Sequence, residues 1–122
     1  KQAGATLVGS SDWSVSSMNP VEAMQVAVTR QDPGDAEGRV LTPRHRLEIM
    51  DMIRAYTVNG AYAAFDEANS GTLSVGKRAD VVVLDRDLTK VAPREISEAK
   101  VLVTLIDGAP VYEGDGRPDP KE

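Results

Sequence analysis

Near residue 70 the spacing of apolar side chains changes, and that change limits what the chain can fold into. Upstream, apolar residues recur every three or four positions, the period of a helix with one buried face. Downstream, Gly71, Gly76, Gly108, Gly114 and Gly116 punctuate short β-branched runs, the grammar of strands and turns. A chain patterned this way is α+β, helical first and stranded later.

The elements follow from local chemistry. Ala5-Thr6-Leu7-Val8-Gly9 reads as a buried strand that ends in a polar loop. Asn19-Pro20 opens a helix, because Asn caps well and Pro suits the first helical position. Val21, Met24, Ala27 and Val28 form its stripe, and strand, loop and helix together make a βα unit. Residues 31–42 are a loop rich in Gly, Pro and acidic residues. Thr42-Pro43 is expected to start a second helix with Ile49, Met50, Ile53 and Tyr56 inward and Arg46, Glu48, Asp51 and Arg54 outward. Asn59-Gly60 interrupts, and a shorter helix with Ala61, Ala64, Phe65 and Ala68 comes after it. Residues 80–84 and 101–106 read as strands, with a helical turn over 92–99 between them. Asp107-Gly108 makes a hairpin turn into Pro110-Val111-Tyr112. The expected division is 1–69, helical; 70–113, short strands; and 114–122, a flexible tail.

Charge and ligand content narrow the chemistry. Net charge is −5 with no basic block, so neither nucleic acid nor an anionic membrane surface is an expected partner. No apolar run approaches the ~18 residues of a membrane span. There are no cysteines, which excludes disulfides and thiolate metal sites and suits the cytoplasm. One histidine, His45, cannot build a His-rich zinc centre; it sits among charged residues and reads as a solvated surface residue. Met18, Met24, Met50 and Met52 read as core filling. Gly71 to Lys77 has the spacing of a phosphate loop, but Arg78 stands where that loop needs Ser or Thr.

Several segments resemble one family in order. Gly71-Thr-Leu-Ser-Val-Gly76-Lys77-Arg78-Ala79-Asp80, leading into a Val/Leu strand and Asp85, resembles the re-entry into the small β-sandwich domain of amidohydrolase-superfamily enzymes. Tyr56-Thr57-Val58-Asn59-Gly60-Ala61 is similar to the T-x-N-x-A helix start that precedes it, and residues 103–112 resemble the family's last strands. Gly9-Ser10-Ser11-Asp12-Trp13 resembles the G-S-D-W loop after the eighth barrel strand. Asn19-Pro20 and residues 27–30 are similar to the family's helix on the far side of that loop. The nearest branch is the one labelled amidohydrolase family 3, and the likeness runs over residues 4–113. Ser14 departs from it, standing where the family commonly has Pro.

The resemblance implies a (β/α)8 barrel whose last strand, active-site loop and helices occupy 1–69, with strands of the composite β-sandwich over 70–113. It implies a parent hydrolase that uses zinc or another divalent metal to cleave C–N bonds other than peptide bonds in a small-molecule amide. Asp12 is the residue carried over, as metal ligand and general base. The remaining ligands, an H-x-H pair among them, would lie upstream of Lys1, so the chain reads as a fragment that binds no metal and is inert on its own. The residues alone leave plainer readings open: Asp12 as a turn cap, Trp13 as packing instead of substrate contact, and Arg30 paired with Asp32 or Asp35 instead of clamping a substrate carboxylate. The alternative for the whole chain is a non-catalytic α+β interaction module derived from such an enzyme. Either way, apolar strand edges are expected to drive self-association.

Overall fold

The structure, a computed structural model, describes residues 3–35 and 37–114. The expected flexible tail lies, apart from Gly114, outside the described residues. Among the described residues, three helices, two 3₁₀ turns and three strands follow in the order α1 (Pro20–Thr29), Pro43–His45, α2 (Ile49–Ala55), α3 (Val58–Ala63), β1 (Val81–Leu84), Pro93–Glu98, β2 (Val101–Ile106) and β3 (Ala109–Glu113). The mixed α/β class expected from the apolar spacing is what forms.

α1 begins where its cap chemistry places it. The Asn19 side chain accepts the Val21 N–H at 3.0 Å, and Pro20 sits in the first turn, where its missing N–H costs nothing. The helix ends at Arg30, in the left-handed region with φ 59°, whose N–H reaches the Val26 carbonyl. Arg30 does not pair with Asp32 or Asp35: its Nε donates to the Leu41 carbonyl at 3.2 Å, while those carboxylates accept backbone N–H groups of Gly34 and Glu37.

The helix expected from Thr42 is broken in two. Pro43–His45 makes one 3₁₀ turn, after which Arg46 is extended and the Leu47 N–H donates to the Ala27 carbonyl at 3.1 Å. A bond to α1 thus takes the donor a continuous helix would need, and α2 starts only at Ile49. Its buried residues are Met52 and Ala55; Ile49, Ile53 and Tyr56 are half-buried around them, and Met50 is exposed. Asn59-Gly60 does not interrupt α3 but lies inside it, and Phe65, expected on its inner face, is 93% exposed beyond its end with φ 57°. Of the four methionines, only Met24 and Met52 are buried.

The strands form one antiparallel sheet in the order β1-β2-β3. Val82 faces Thr104 across the first pair, and Thr104 faces Tyr112 across the second. At the hairpin, Asp107 and Gly108 both have positive φ, 50° and 80°, as a two-residue turn joining right-twisted strands requires. Asp80 accepts the Asp107 N–H at 2.8 Å, tying the turn to the start of β1.

Residues 5–9, expected as a buried strand, form none. A strand needs a neighbour, and no other strand lies alongside among the described residues; Val8 is 48% exposed. The segment instead has no regular structure and is tied by hydrogen bonds to Ala55 of α2 and Asn59 of α3.

The core joins the two halves of the chain. Val21 and Met24 of α1, Met52 of α2, Leu88, and Ile96 of the turn Pro93–Glu98 form one buried cluster, with Leu84 of β1 packed against it. Gln25, also buried, accepts the Ser97 N–H at 2.8 Å, and Arg94 donates to Gln31 at 2.9 Å. A buried polar side chain with its partner in place costs little and fixes the angle at which the turn crosses α1.

Candidate functional site

Asp12 stands in the loop between residues 9 and 20. Its own backbone adopts the left-handed conformation at φ 50°, which Asp tolerates better than most residues. Around it the loop bonds to itself: Val15 N–H to the Asp12 carbonyl at 2.8 Å, Asp12 N–H to Ser10 Oγ at 3.4 Å, and Trp13 N–H to Ser11 Oγ at 3.3 Å. The Asp12 carboxylate is exposed and has no partner among the described residues, so it caps neither the turn nor α1. Trp13 is 66% exposed and does not pack into the core. The structure therefore presents both residues outward, next to each other, on a turn braced by serine hydroxyls.

The loop's near end is gripped by the α2–α3 junction. The Gly9 N–H donates to the Ala55 carbonyl at 3.0 Å, and the Asn59 side-chain amide donates to the Leu7 carbonyl at 2.8 Å. A Cβ on Gly9 would lie 2.5 Å from the Tyr56 ring, so only glycine lets the chain pass that ring without moving it. Below this grip is an open cleft of about 200 Å³ lined by Ala5, Thr6, Leu7, Asp51, Arg54 and Asn59. It is smaller than the ~300–1,000 Å³ of ordinary small-molecule sites, and neither Asp12 nor Trp13 lines it. The grip itself is not legible in the sequence, where Asn59-Gly60 reads as a helix interruption; the T-x-N-x-A likeness points to a helix start there but not to the bond with Leu7.

Elsewhere, charge is spent on local structure. Asn69 and Ser70 donate to Asp66 and, with Arg78 beside it, hold its pKa below the ordinary carboxylate value. The Lys100 N–H does the same for Asp85, helped by Arg86, which also reaches Glu98. Asp87 is lowered to about 2 by the Thr89 hydroxyl, Lys90 and the Thr89 N–H. All three carboxylates brace turns flanking the sheet, and Lys77 likewise spends its ammonium on the Glu67 and Ser70 carbonyls. The Gly76-Lys77 segment is a structural turn.

Among the described residues, no three His, Cys, Asp or Glu side chains come together in a way that could hold a metal ion. Zinc takes four ligands, three of them from protein in a catalytic site. Asp12 is one donor, and His45, exposed at the end of its 3₁₀ turn, is not another. The residues present do not by themselves fit a zinc centre. No helix among the described residues is long and apolar enough to cross a membrane.

Known proteins resemble the chain along most of its length. N-substituted formamide deformylase of Arthrobacter pascens is 35% identical over 114 residues, 93% of this chain and 20% of that protein. Protein LONG AFTER FAR-RED 3 of Arabidopsis thaliana is 34% identical over 108 residues, 88% of this chain and 18% of its own length. The crystal structure of an amidohydrolase from Thermotoga maritima MSB8 is 28% identical and covers 58% of this chain and 17% of that one, with a TM-score of 0.47. The chain thus spans about a fifth of the length of the curated relatives it matches. The model of the amidohydrolase family matches residues 1–112, and with so complete a match the chain belongs to the amidohydrolase family.

Proposed function

We propose that this chain is the C-terminal segment of a metal-dependent hydrolase that cleaves C–N bonds other than peptide bonds in small-molecule amides, with Asp12 handling the proton. The observation that carries the reading is Asp12 itself. It is an exposed carboxylate with no partner among the described residues, set on a braced loop in a chain of the amidohydrolase family. The name of the Arthrobacter relative, a deformylase of N-substituted formamides, supports a formyl or other N-acyl group as the substrate class.

The proton chemistry is simple. Water's oxygen bonds to the carbonyl carbon while its proton passes to the Asp12 carboxylate; the C–N bond breaks as Asp12 returns that proton to the leaving nitrogen. Trp13, beside Asp12, offers an aromatic face to the substrate. Metal dependence belongs to the whole enzyme in this reading, and Asp12 is the donor the reading assigns to this chain. The 122-residue chain alone is therefore inert.

The test compares this chain with the longer polypeptide carrying it, each assayed with and without zinc on N-formyl and N-acyl amines. The longer protein is expected to hydrolyse them, and Asp12→Asn to lower kcat by about 10²–10⁴-fold. Full activity in Asp12→Asn refutes the role of Asp12, and zinc-dependent turnover by the 122-residue chain refutes its inertness.

A second reading is favoured by a separate observation: Tyr62, Phe65, Leu73, Val75 and Val82 are all more than half exposed. That much uncovered apolar surface suits a non-catalytic module whose work is association.

A further inference from the structure

The loop that carries Asp12 hangs between two anchors. At its far end Asn19 caps α1, its own N–H held by Ser17 Oγ at 3.1 Å. At its near end are the Gly9 N–H bond to the Ala55 carbonyl, the Asn59 amide bond to the Leu7 carbonyl and the close approach of Gly9 to the Tyr56 ring. Between the anchors, every hydrogen bond of residues 10–18 stays within 10–19 among the described residues, and Trp13, Val15 and Met18 are exposed. Among the described residues, no hydrogen bond from the core reaches the loop's middle. Where Asp12 stands is therefore decided by the anchors.

Within the near anchor, Asn59 supplies the side-chain hydrogen bond. The Asn59 amide crosses 52 positions of sequence to the Leu7 carbonyl, five residues before Asp12. The contact needs a short side chain ending in an N–H donor, which Asn supplies and Asp, ionised, does not. Its place within α3 fixes the direction of that donor, and Ala55 and Tyr56 at the end of α2 complete the seat for Gly9. We infer that Asn59 is a positioning residue for the Asp12 carboxylate, acting through the Leu7 carbonyl. The inference rests on the reading of Asp12 as the proton-handling group.

Trp13, the chain's single tryptophan and the neighbour of Asp12, reports on the loop without any turnover. In the 122-residue chain, Asn59→Ala and Asn59→Asp are expected to lower Trp13 fluorescence anisotropy and raise its quenching by acrylamide while far-UV circular dichroism stays the same. In the longer polypeptide, both substitutions are expected to lower kcat about a hundredfold, the cost of misplacing a reacting group by roughly 1 Å, with little change in KM. An unchanged Trp13 signal, or wild-type kcat in both variants, overturns the inference even when Asp12→Asn is dead. If the unsubstituted protein cleaves no amide, the function reading falls, and Trp13 alone decides whether Asn59 holds the loop. Should Asn59→Ala fail to fold, Gly9→Ala disturbs the same seat from the loop side and carries the same readouts.

Discussion

Ile96 is the residue whose truncation tests the core most sharply. It is 2% exposed, the largest fully buried side chain, and it comes from a 3₁₀ turn that has no apolar period of its own. Ile96→Ala removes three carbons, worth about 2.4 kcal/mol at ~0.8 kcal/mol per buried carbon. The cavity left against Val21, Met24, Met52 and Leu88 adds to this, because those side chains come from α1, α2 and the segment after β1 and cannot all collapse inward. The expected loss is about 3–4 kcal/mol, within the range of large-to-small core substitutions. That is a large share of the ~5–15 kcal/mol that holds an ordinary domain together. Urea unfolding followed by circular dichroism reads it as a fall in the midpoint at constant slope. Phe65→Ala, at a side chain 93% exposed, is the control and is expected to change stability by less than about 0.5 kcal/mol. A loss below about 1 kcal/mol for Ile96→Ala would mean that α1 and the turn Pro93–Glu98 do not share a core.

Charge and exposed surface lead to two further outcomes. Asp66, Asp85 and Asp87 have lowered pKa values in the fold, Asp87 about 2 against an ordinary 3.8, so the unfolded chain binds more protons between those values. The stability they contribute is complete above pH 4 or so and is lost as pH falls toward 2; an acid titration of the urea midpoint should show that decline, and a flat profile over this window contradicts it. The sheet leaves Val82 of β1 and Val111 and Tyr112 of β3 more than half exposed on its two outer strands, and self-association of the 122-residue chain is expected. Sedimentation velocity across a concentration series checks this, and a monomer at every concentration removes it.

The elements legible in the sequence were those whose causes are local. Asn19-Pro20 carries its own cap and first turn, and Asp107-Gly108 carries the two positive φ values its hairpin needs, so α1, β2 and β3 stand where their residues put them. Misreadings fell where a distant partner decides. Leu47 gives its N–H to Ala27, twenty residues away, and the helix expected from Thr42 breaks. Val8 has an apolar strand's composition but no strand beside it. The same holds at the candidate site. Asp12 and Trp13 were legible through their likeness to a family motif, whereas Asn59, Gly9 and Tyr56, which hold their loop, become visible only once α2 and α3 lie against residues 5–9.

The bond from the Ser97 N–H to Gln25 bears on how the chain is made. The two residues are 72 positions apart, and the apolar stripe of α1 waits for Leu88 and Ile96 to cover it. At the ~5–20 residues per second of protein synthesis, that wait lasts about 4–14 s. Through that interval a nascent α1 has only α2 to pack against, and the part of its stripe that meets Leu88 and Ile96 stays uncovered. Any early shelter for that part has to come from a chaperone or from other segments already made.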